Sequence, residues 1–241
     1  MHISSQPRPA AVLLDVGFTL TFPDAAIIAR HAAEAGVTVG ADALARVEDE
    51  ARRGLAQFGW AFTRAQEAAR PKTGGAQFFQ RMLDLAGATA GTSTLVEASQ
   101  HIWTRHLERN VWCRVGPGVE AALARLQAAG IRMAVVSNSE GTVEAMLKSV
   151  GLDRYLETVV DSWVVGVAKP DPAIFRIALD RLGVPASAAV MLGDVPAIDV
   201  DGARAAGVTP VLLDPLELYG DLDVRRVPDV ATYVDQLLGA R

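Results

Sequence analysis

The chain has 241 residues, 50% of them hydrophobic, enough for one large domain, or a core with a smaller insert, around a substantial buried interior. Its 23 basic residues against 28 acidic ones, a formal net charge of -5, exclude the basic footprint expected of a partner for nucleic acid or an anionic membrane. Cys113 is the sole cysteine, which excludes an intrachain disulfide and a thiolate metal cluster and suits a reducing cytoplasm.

The opening "MHISSQPRPA" lacks the basic segment and long apolar core of a secretion signal, and no stretch approaches the ~20 uninterrupted apolar residues of a membrane helix. A cytoplasmic protein is expected. The first apolar run, "AAVLLD", ends at Asp15 and predicts a short buried strand with a polar tip. From about 22 to 111 the pattern changes: "PDAAIIARHAAEAG", "ADALARVEDEARRGLAQFG", "AQFFQRMLDLAG" and "STLVEASQHIWTRHLERN" all have helical spacing with no strand between them. "RPKTGG" at 70–75 has the composition of an exposed loop. The prediction is an all-helical insert over 22–111 within a core formed by 1–21 and 112–241. Leaving after the first strand and returning before the next helix, it is expected to lie above the strand tips as a lid, hinged near Phe22 and Arg114.

Strand-like runs then alternate with amphipathic segments. "IRMAVVSN" ends at Ser137 and Asn138, "AAVMLGD" at Asp194 and "VTPVLLD" at Asp214, while "GVEAALARLQAAG", "GTVEAMLKSVG" and "DPAIFRIALDRLG" read as helices closed by Gly130, Gly151 and Gly183. The fold class is therefore α/β, a Rossmann-like, doubly wound parallel sheet carrying a helical cap. Such sheets bind ligands at the carboxyl ends of their strands.

Those ends offer Asp15, Ser137, Lys169 from "GVAKPDPAIF", and Asp194 with Asp199 from "LGDVPAIDVDGA". Each has a plainer reading alone: a turn-forming or capping aspartate, a helix-capping serine, a solvated lysine, a helix-surface charge. The set is harder to dismiss. Only Lys72, Lys148 and Lys169 are lysines, and one of the three falls just before "PDP". Three carboxylates sharing a crevice repel one another unless a cation joins them, and Mg²⁺ suits a few carboxylates, a backbone carbonyl, water and a substrate phosphate. Asp161 and Asp214 are read as turn residues. His31, His101 and His106 show no metal-ligand spacing and are read as surface or packing residues.

The ordered motifs "DVGFTL", "VVSNS", "KPDP" and "GDVPAID" resemble the four motifs of the haloacid dehalogenase superfamily, in its branch of aspartate-nucleophile phosphohydrolases with a type-1 cap. The resemblance covers nearly the whole chain. It implies a catalytic set of Asp15, Thr19, Ser137, Lys169 and Asp199. Asp15 would be the nucleophile that forms an aspartyl-phosphate, and Thr19 would brace its loop. Ser137 and Lys169, with Asn138 beside them, would bind the phosphoryl oxygens. Asp15, the Gly17 carbonyl and Asp194 would hold Mg²⁺, with Asp199 acting on the metal through water or holding Lys169. The substrate implied is a small phosphorylated metabolite, bound by a monomer or homodimer.

One position departs from the pattern. Gly17 stands where most phosphatases of the superfamily carry a second aspartate that protonates the leaving group, a contribution of about 10²- to 10⁴-fold. Its absence predicts a preference for good leaving groups such as aryl, acyl or anomeric sugar phosphates. Phe18 beside the gap would make the pocket more apolar or pack beneath the lid. The same departure leaves other readings open: a degenerate binding module, a 2-haloacid dehalogenase-like C–halogen hydrolase, or a phosphonoacetaldehyde hydrolase-like C–P hydrolase with Lys72 as the Schiff-base lysine. Substrate selection is expected from "FGWAFTRAQEAARPKTGG", where Trp60, Arg64 and Lys72 would meet the leaving group. Their plainer readings are cap packing and solvated charge.

Overall fold

The computed structural model describes residues 8–58 and 75–239, without the side chains of 55–58. The chain divides into two compact units, Pro23–Arg114 and the pair Met1–Phe22 with Val115–Arg241.

The first of these units is helical. Helix α1 (Ala25–Glu34) starts where the Asp24 side chain accepts from the amides of Ala26 and Ile27, both at 3.0 Å, and so satisfies two of the donors a helix start leaves open. The sequence predicts a single helix over 41–59, but the structure breaks it at Val47 into α2 (Ala41–Arg46) and α3 (Glu48–Phe58). The break has an electrostatic rationale. Glu48, Asp49 and Glu50 then fall in the first turn of a new helix, where the amide ends favour negative charge. Helix α4 (Ala76–Leu85) packs on α5 (Thr92–Glu108), which also packs on α1. Ile28, Ala32, Leu44, Phe79, Met82, Leu83, Ala98 and Ile102 supply buried apolar side chains.

The second unit is built on a parallel sheet. Its strands are β1 (Ala11–Leu14), β2 (Arg132–Ser137), β3 (Thr158–Asp161), β4 (Ala189–Gly193), β5 (Thr209–Leu213) and β6 (Arg225–Val227). They lie in the order β3-β2-β1-β4-β5-β6. That order reverses beside β1, the arrangement in which a crevice opens at the strands' carboxyl ends. Strand β1 is central, with Leu14 level with Val135 on one side and Leu192 on the other, and all four of its residues are buried. A strand covered on both faces has no use for alternation, which is why "AVLL" is uniformly apolar.

The edge strands β3 and β6 did not stand out in the sequence. In "RRV" both arginines are exposed and only Val227 is buried, a charged edge that discourages pairing with another chain. On the sheet lie α6 (Val119–Ala128), α7 (Val143–Ser149), the short α8 (Ser162–Val165), α9 (Pro172–Leu182), α10 (Asp201–Ala206) and α11 (Val230–Leu238). Helix α9 begins at Asp171, whose carboxylate accepts from the Ala173 amide, with Pro172 in the first turn. Its face carries Ile174, Phe175, Ala178 and Leu179 into the core with Leu13, Val136 and Met191. Gly202 lets α10 come close: a β-carbon there would lie 2.9 Å from the Pro170 α-carbon. Among the described residues no helix is long and apolar enough to cross a membrane.

Candidate active site

Asp15 and Asp194 leave the ends of neighbouring strands, and the Asp15 amide donates to the Leu192 carbonyl at 2.9 Å, extending the β1–β4 pairing to the tip. Lys169 lies in the loop before α9 and reaches back between two carboxylates. Its Nζ donates to Asp15 Oδ1 and to Asp199 Oδ1, each at 2.6 Å. All three side chains are shielded, with 2% of Lys169, 3% of Asp199 and 12% of Asp15 exposed.

Asp199 reaches this point because the chain after Asp194 takes a wide helical turn, Pro196–Val200, before α10. The turn aims the carboxylate back at its own start, where Oδ2 accepts from the Val195 amide at 2.9 Å. Gly193 makes room for it. A β-carbon at 193 would stand 2.3 Å from Asp199 Cγ, closer than any real contact.

Asn138 is placed differently from the sequence expectation. Rather than presenting its amide to a phosphoryl group, it spends both polar atoms on the backbone of Lys169: Nδ2 donates to the carbonyl at 2.9 Å and Oδ1 accepts from the amide at 2.8 Å. Asn138 thus positions the lysine. Ser137 ends β2, next to β1, and is buried.

The following loop is pinned by Ser162, which the sequence left unassigned, and by Asp161, which it read only as a turn residue. The Ser139 amide donates to Ser162 Oγ at 3.0 Å, and the Asp161 carboxylate accepts from the amides of Gly141 and Trp163. Asp161 is therefore more than a turn former: it caps α8 and ties two loops, and burial raises its pKa. Asp214 accepts from the amides of Leu218 and Tyr219, the turn role expected of it.

The loop after Asp15 is held by backbone. The Val16 carbonyl accepts from the amides of Leu20 at 2.9 Å and Thr21 at 3.0 Å, and the Phe18 amide donates to the Thr21 carbonyl at 2.8 Å. Phe18 adopts a left-handed φ of 54°, sparsely populated for a side chain of its size, and its ring meets Phe22 edge-on at 5.9 Å. Thr19 does not brace the loop through its hydroxyl. That Oγ1 is buried with no hydrogen-bond partner among the described residues, and the threonine contributes its backbone instead. Gly17 is half-buried and bridges to Thr21. Trp60, Arg64 and Lys72 lie outside the described residues.

The electrostatics follow from burial. Desolvation raises the Asp15 carboxyl, to about 6; Lys169 opposes that rise and the nearby Asp199 charge adds to it. Burial alone would lower the Lys169 ammonium, yet two carboxylates in contact with it hold its pKa above the ordinary value, so it stays charged. One carboxylate oxygen from each of Asp15, Asp194 and Asp199 lies within 4.8 Å of the others. Three acids facing one ammonium leave surplus negative charge, and their hard oxygen donors fit a small divalent cation. Asp199 already satisfies Lys169 with one oxygen and Val195 with the other. Of the two roles foreseen for it, holding the lysine is the one its contacts display.

A protein-family model for haloacid dehalogenase-like hydrolase matches residues 10–207. The chain belongs to the haloacid dehalogenase-like hydrolase family. Over 141 residues it is 33% identical to ribulose-1,5-bisphosphate 5-phosphatase of Halopiger xanaduensis, 58% of each chain being covered. It is 45% identical over 100 residues to phosphoglycolate phosphatase of Rhodospirillum rubrum, covering 41% of each. It is 40% identical over 99 residues to phosphoserine phosphatase of Thermus thermophilus, covering 41% of this chain and 40% of that one. The chain thus spans between about two fifths and three fifths of the length of these curated relatives. Solved structures share the fold: a dehalogenase at TM-score 0.64 and 22% identity covers 100% of both chains. A magnesium-bound HAD-hydrolase from Bacillus subtilis gives TM-score 0.65 at 17% identity over 96% of this chain and 100% of that one. The chain is accordingly a member of a hydrolase family, built on an α/β Rossmann-like sheet.

Proposed function

We propose that this hydrolase is a Mg²⁺-dependent phosphatase of small phosphorylated metabolites, acting through an aspartyl-phosphate on Asp15. The observation that carries the reading is Lys169 lodged between Asp15 and Asp199 beside Asp194, a buried acid cluster with its own cation. Three relatives named as phosphatases of small metabolites support it.

Asp15, Asp194 and the Gly17 carbonyl would hold Mg²⁺, whose contribution when bound is to polarise the phosphoryl group and lower the pKa of Asp15. The protein's own groups do the rest. An Asp15 oxygen attacks phosphorus in line, the bond from phosphorus to the ester oxygen breaks, and the leaving group departs with its electron pair. Lys169 and Ser137 offset the charge on the equatorial oxygens. Water then attacks phosphorus, giving up a proton to the phosphate or to solvent, the bond to Asp15 breaks, and phosphate leaves with the carboxylate restored.

Gly17 cannot pass a proton to the departing oxygen, so the rate is governed by how readily that oxygen leaves as an anion. The substrates favoured are aryl, acyl or anomeric phosphates. Trp60, Arg64 and Lys72 of the helical insert would select the leaving group. A series of aryl and alkyl phosphates tests the reading. It requires a steep fall of rate with rising leaving-group pKa, dependence on Mg²⁺ reversed by EDTA, and no turnover by Asp15→Asn. Full activity of Asp15→Asn would end it, and silence of the wild type across the whole series would favour a non-catalytic module.

A further inference from the structure

A second cluster of metal-competent side chains lies within the helical unit and shares no residue with the acid cluster. His31 near the end of α1 and His101 in α5 are 70 positions apart in sequence, yet both turn to one oxygen of Glu34. His31 Nδ1 lies 3.1 Å and His101 Nε2 3.0 Å from Glu34 Oε2. One ligand atom from each of the three lies within 4.8 Å of the others. The site is neither deep nor bare: 13% of His31, 31% of His101 and 36% of Glu34 is exposed. His31 and Glu34 line a cleft of about 320 Å³ with Ile27, Arg30 and Arg105.

We propose that His31, His101 and Glu34 form a binding site for one divalent transition-metal ion of the Zn²⁺ class, linking α1 to α5. The donor set is the first argument, since two imidazoles and one carboxylate suit a borderline-soft cation and leave a fourth position for water. Spacing is the second. Four ligands at about 2.0–2.1 Å around Zn²⁺ stand about 3.3–3.4 Å from one another, so the two histidine-to-glutamate separations need to open by only a few tenths of an ångström. The third is electrostatic: the Glu34 carboxylate, already facing His31, His101 and Arg105, supplies negative charge to a divalent ion.

One neighbour competes. Arg105 Nε donates to the same Glu34 oxygen at 3.3 Å, but its Nη1 has a second partner, Glu108 Oε2, at 2.9 Å. Arg105 can therefore yield the oxygen to a metal while keeping an ion pair. The sequence concealed the site because only the packing of α1 on α5 brings residue 31 to residue 101.

The test is a Zn²⁺ titration of the full chain, stripped with EDTA and then kept in millimolar Mg²⁺ to occupy the acid cluster. It is paired with the visible absorption of added Co²⁺. The proposal expects one Zn²⁺ per chain that Mg²⁺ does not displace, and a four-coordinate Co²⁺ spectrum. His31→Ala and His101→Ala should each weaken Zn²⁺ at least tenfold and remove that spectrum, while Asp194→Asn keeps both. Arg105→Met should tighten Zn²⁺ severalfold, an effect with no counterpart if the histidines merely pair with Glu34. On wild type, Zn²⁺ should slow hydrogen exchange in α1 and α5 but not in the sheet, a readout independent of any variant's folding. Unchanged affinity in both histidine variants, or no Mg²⁺-resistant binding by wild type, overturns the proposal.

Discussion

Replacing Lys169 with methionine removes the one positive charge seen in contact with two buried carboxylates while keeping an unbranched chain of similar bulk. Its consequences follow from 2.6 Å contacts to both Asp15 and Asp199. Breaking a buried pair so that the partner stays charged costs about 3–5 kcal/mol, and here two partners are stranded. The cost must depend on pH, and its sign can be worked out. Asp15 is already raised from 3.8 to about 6 with Lys169 present. A folded-state pKa above the unfolded one gives stability that is fully present below about pH 4 and is lost as pH climbs through the folded value. For Asp15 that loss is on the order of 3 kcal/mol by pH 7. Lys169 holds the value down, so Lys169→Met raises it further and extends the loss to higher pH. Urea unfolding in EDTA at steps from pH 5 to 8 measures this. The deficit of Lys169→Met against wild type should grow steadily, to about 3–5 kcal/mol at the alkaline end, and Mg²⁺ should recover part of it. A deficit that is constant with pH, or below about 1 kcal/mol at pH 8, would refute the view that the lysine neutralises these acids.

Further outcomes follow from the same contacts. Gly193→Ala places a methyl group 2.3 Å from Asp199 Cγ, so the carboxylate must swing off Lys169 and Val195. Thermal melts should show a loss of about 1–3 kcal/mol, and phosphate release should fall at least tenfold. Gly17→Asp should speed alkyl phosphate hydrolysis by up to about 10²-fold and leave aryl phosphates nearly unchanged, which parallel kcat measurements will show. The acid limb of kcat/KM should lie near pH 6 at limiting Mg²⁺, where Asp15 must ionise, and move lower as Mg²⁺ is raised.

How far the sequence could be read depended on whether a signal was local. Asp15, Ser137, Lys169, Asp194 and Asp199 were visible because each sits at or just past an apolar run, and the structure brings four of them into one charged cluster. The four most apolar strands were legible for the same reason. Strands β3 and β6 were not, because an edge strand need only be apolar where it touches the core. The break at Val47 competed with an uninterrupted helical pattern and won through three acids that suit a helix start. Asn138 was assigned to ligand because it follows Ser137, and nothing in a linear string says that its amide faces another segment's backbone. Thr19 was expected to brace its loop, and among the described residues it does so through its main chain while its hydroxyl has no partner.

The clasp of Asn138 on the main chain at position 169 separates where that residue stands from what its side chain is. The loop's address would survive truncation of the lysine. Lys169→Ala should then leave a hollow the size of an alkylamine, walled by Asp15 and Asp199, and small primary ammonium ions supplied in solution should restore part of what the deleted side chain provided.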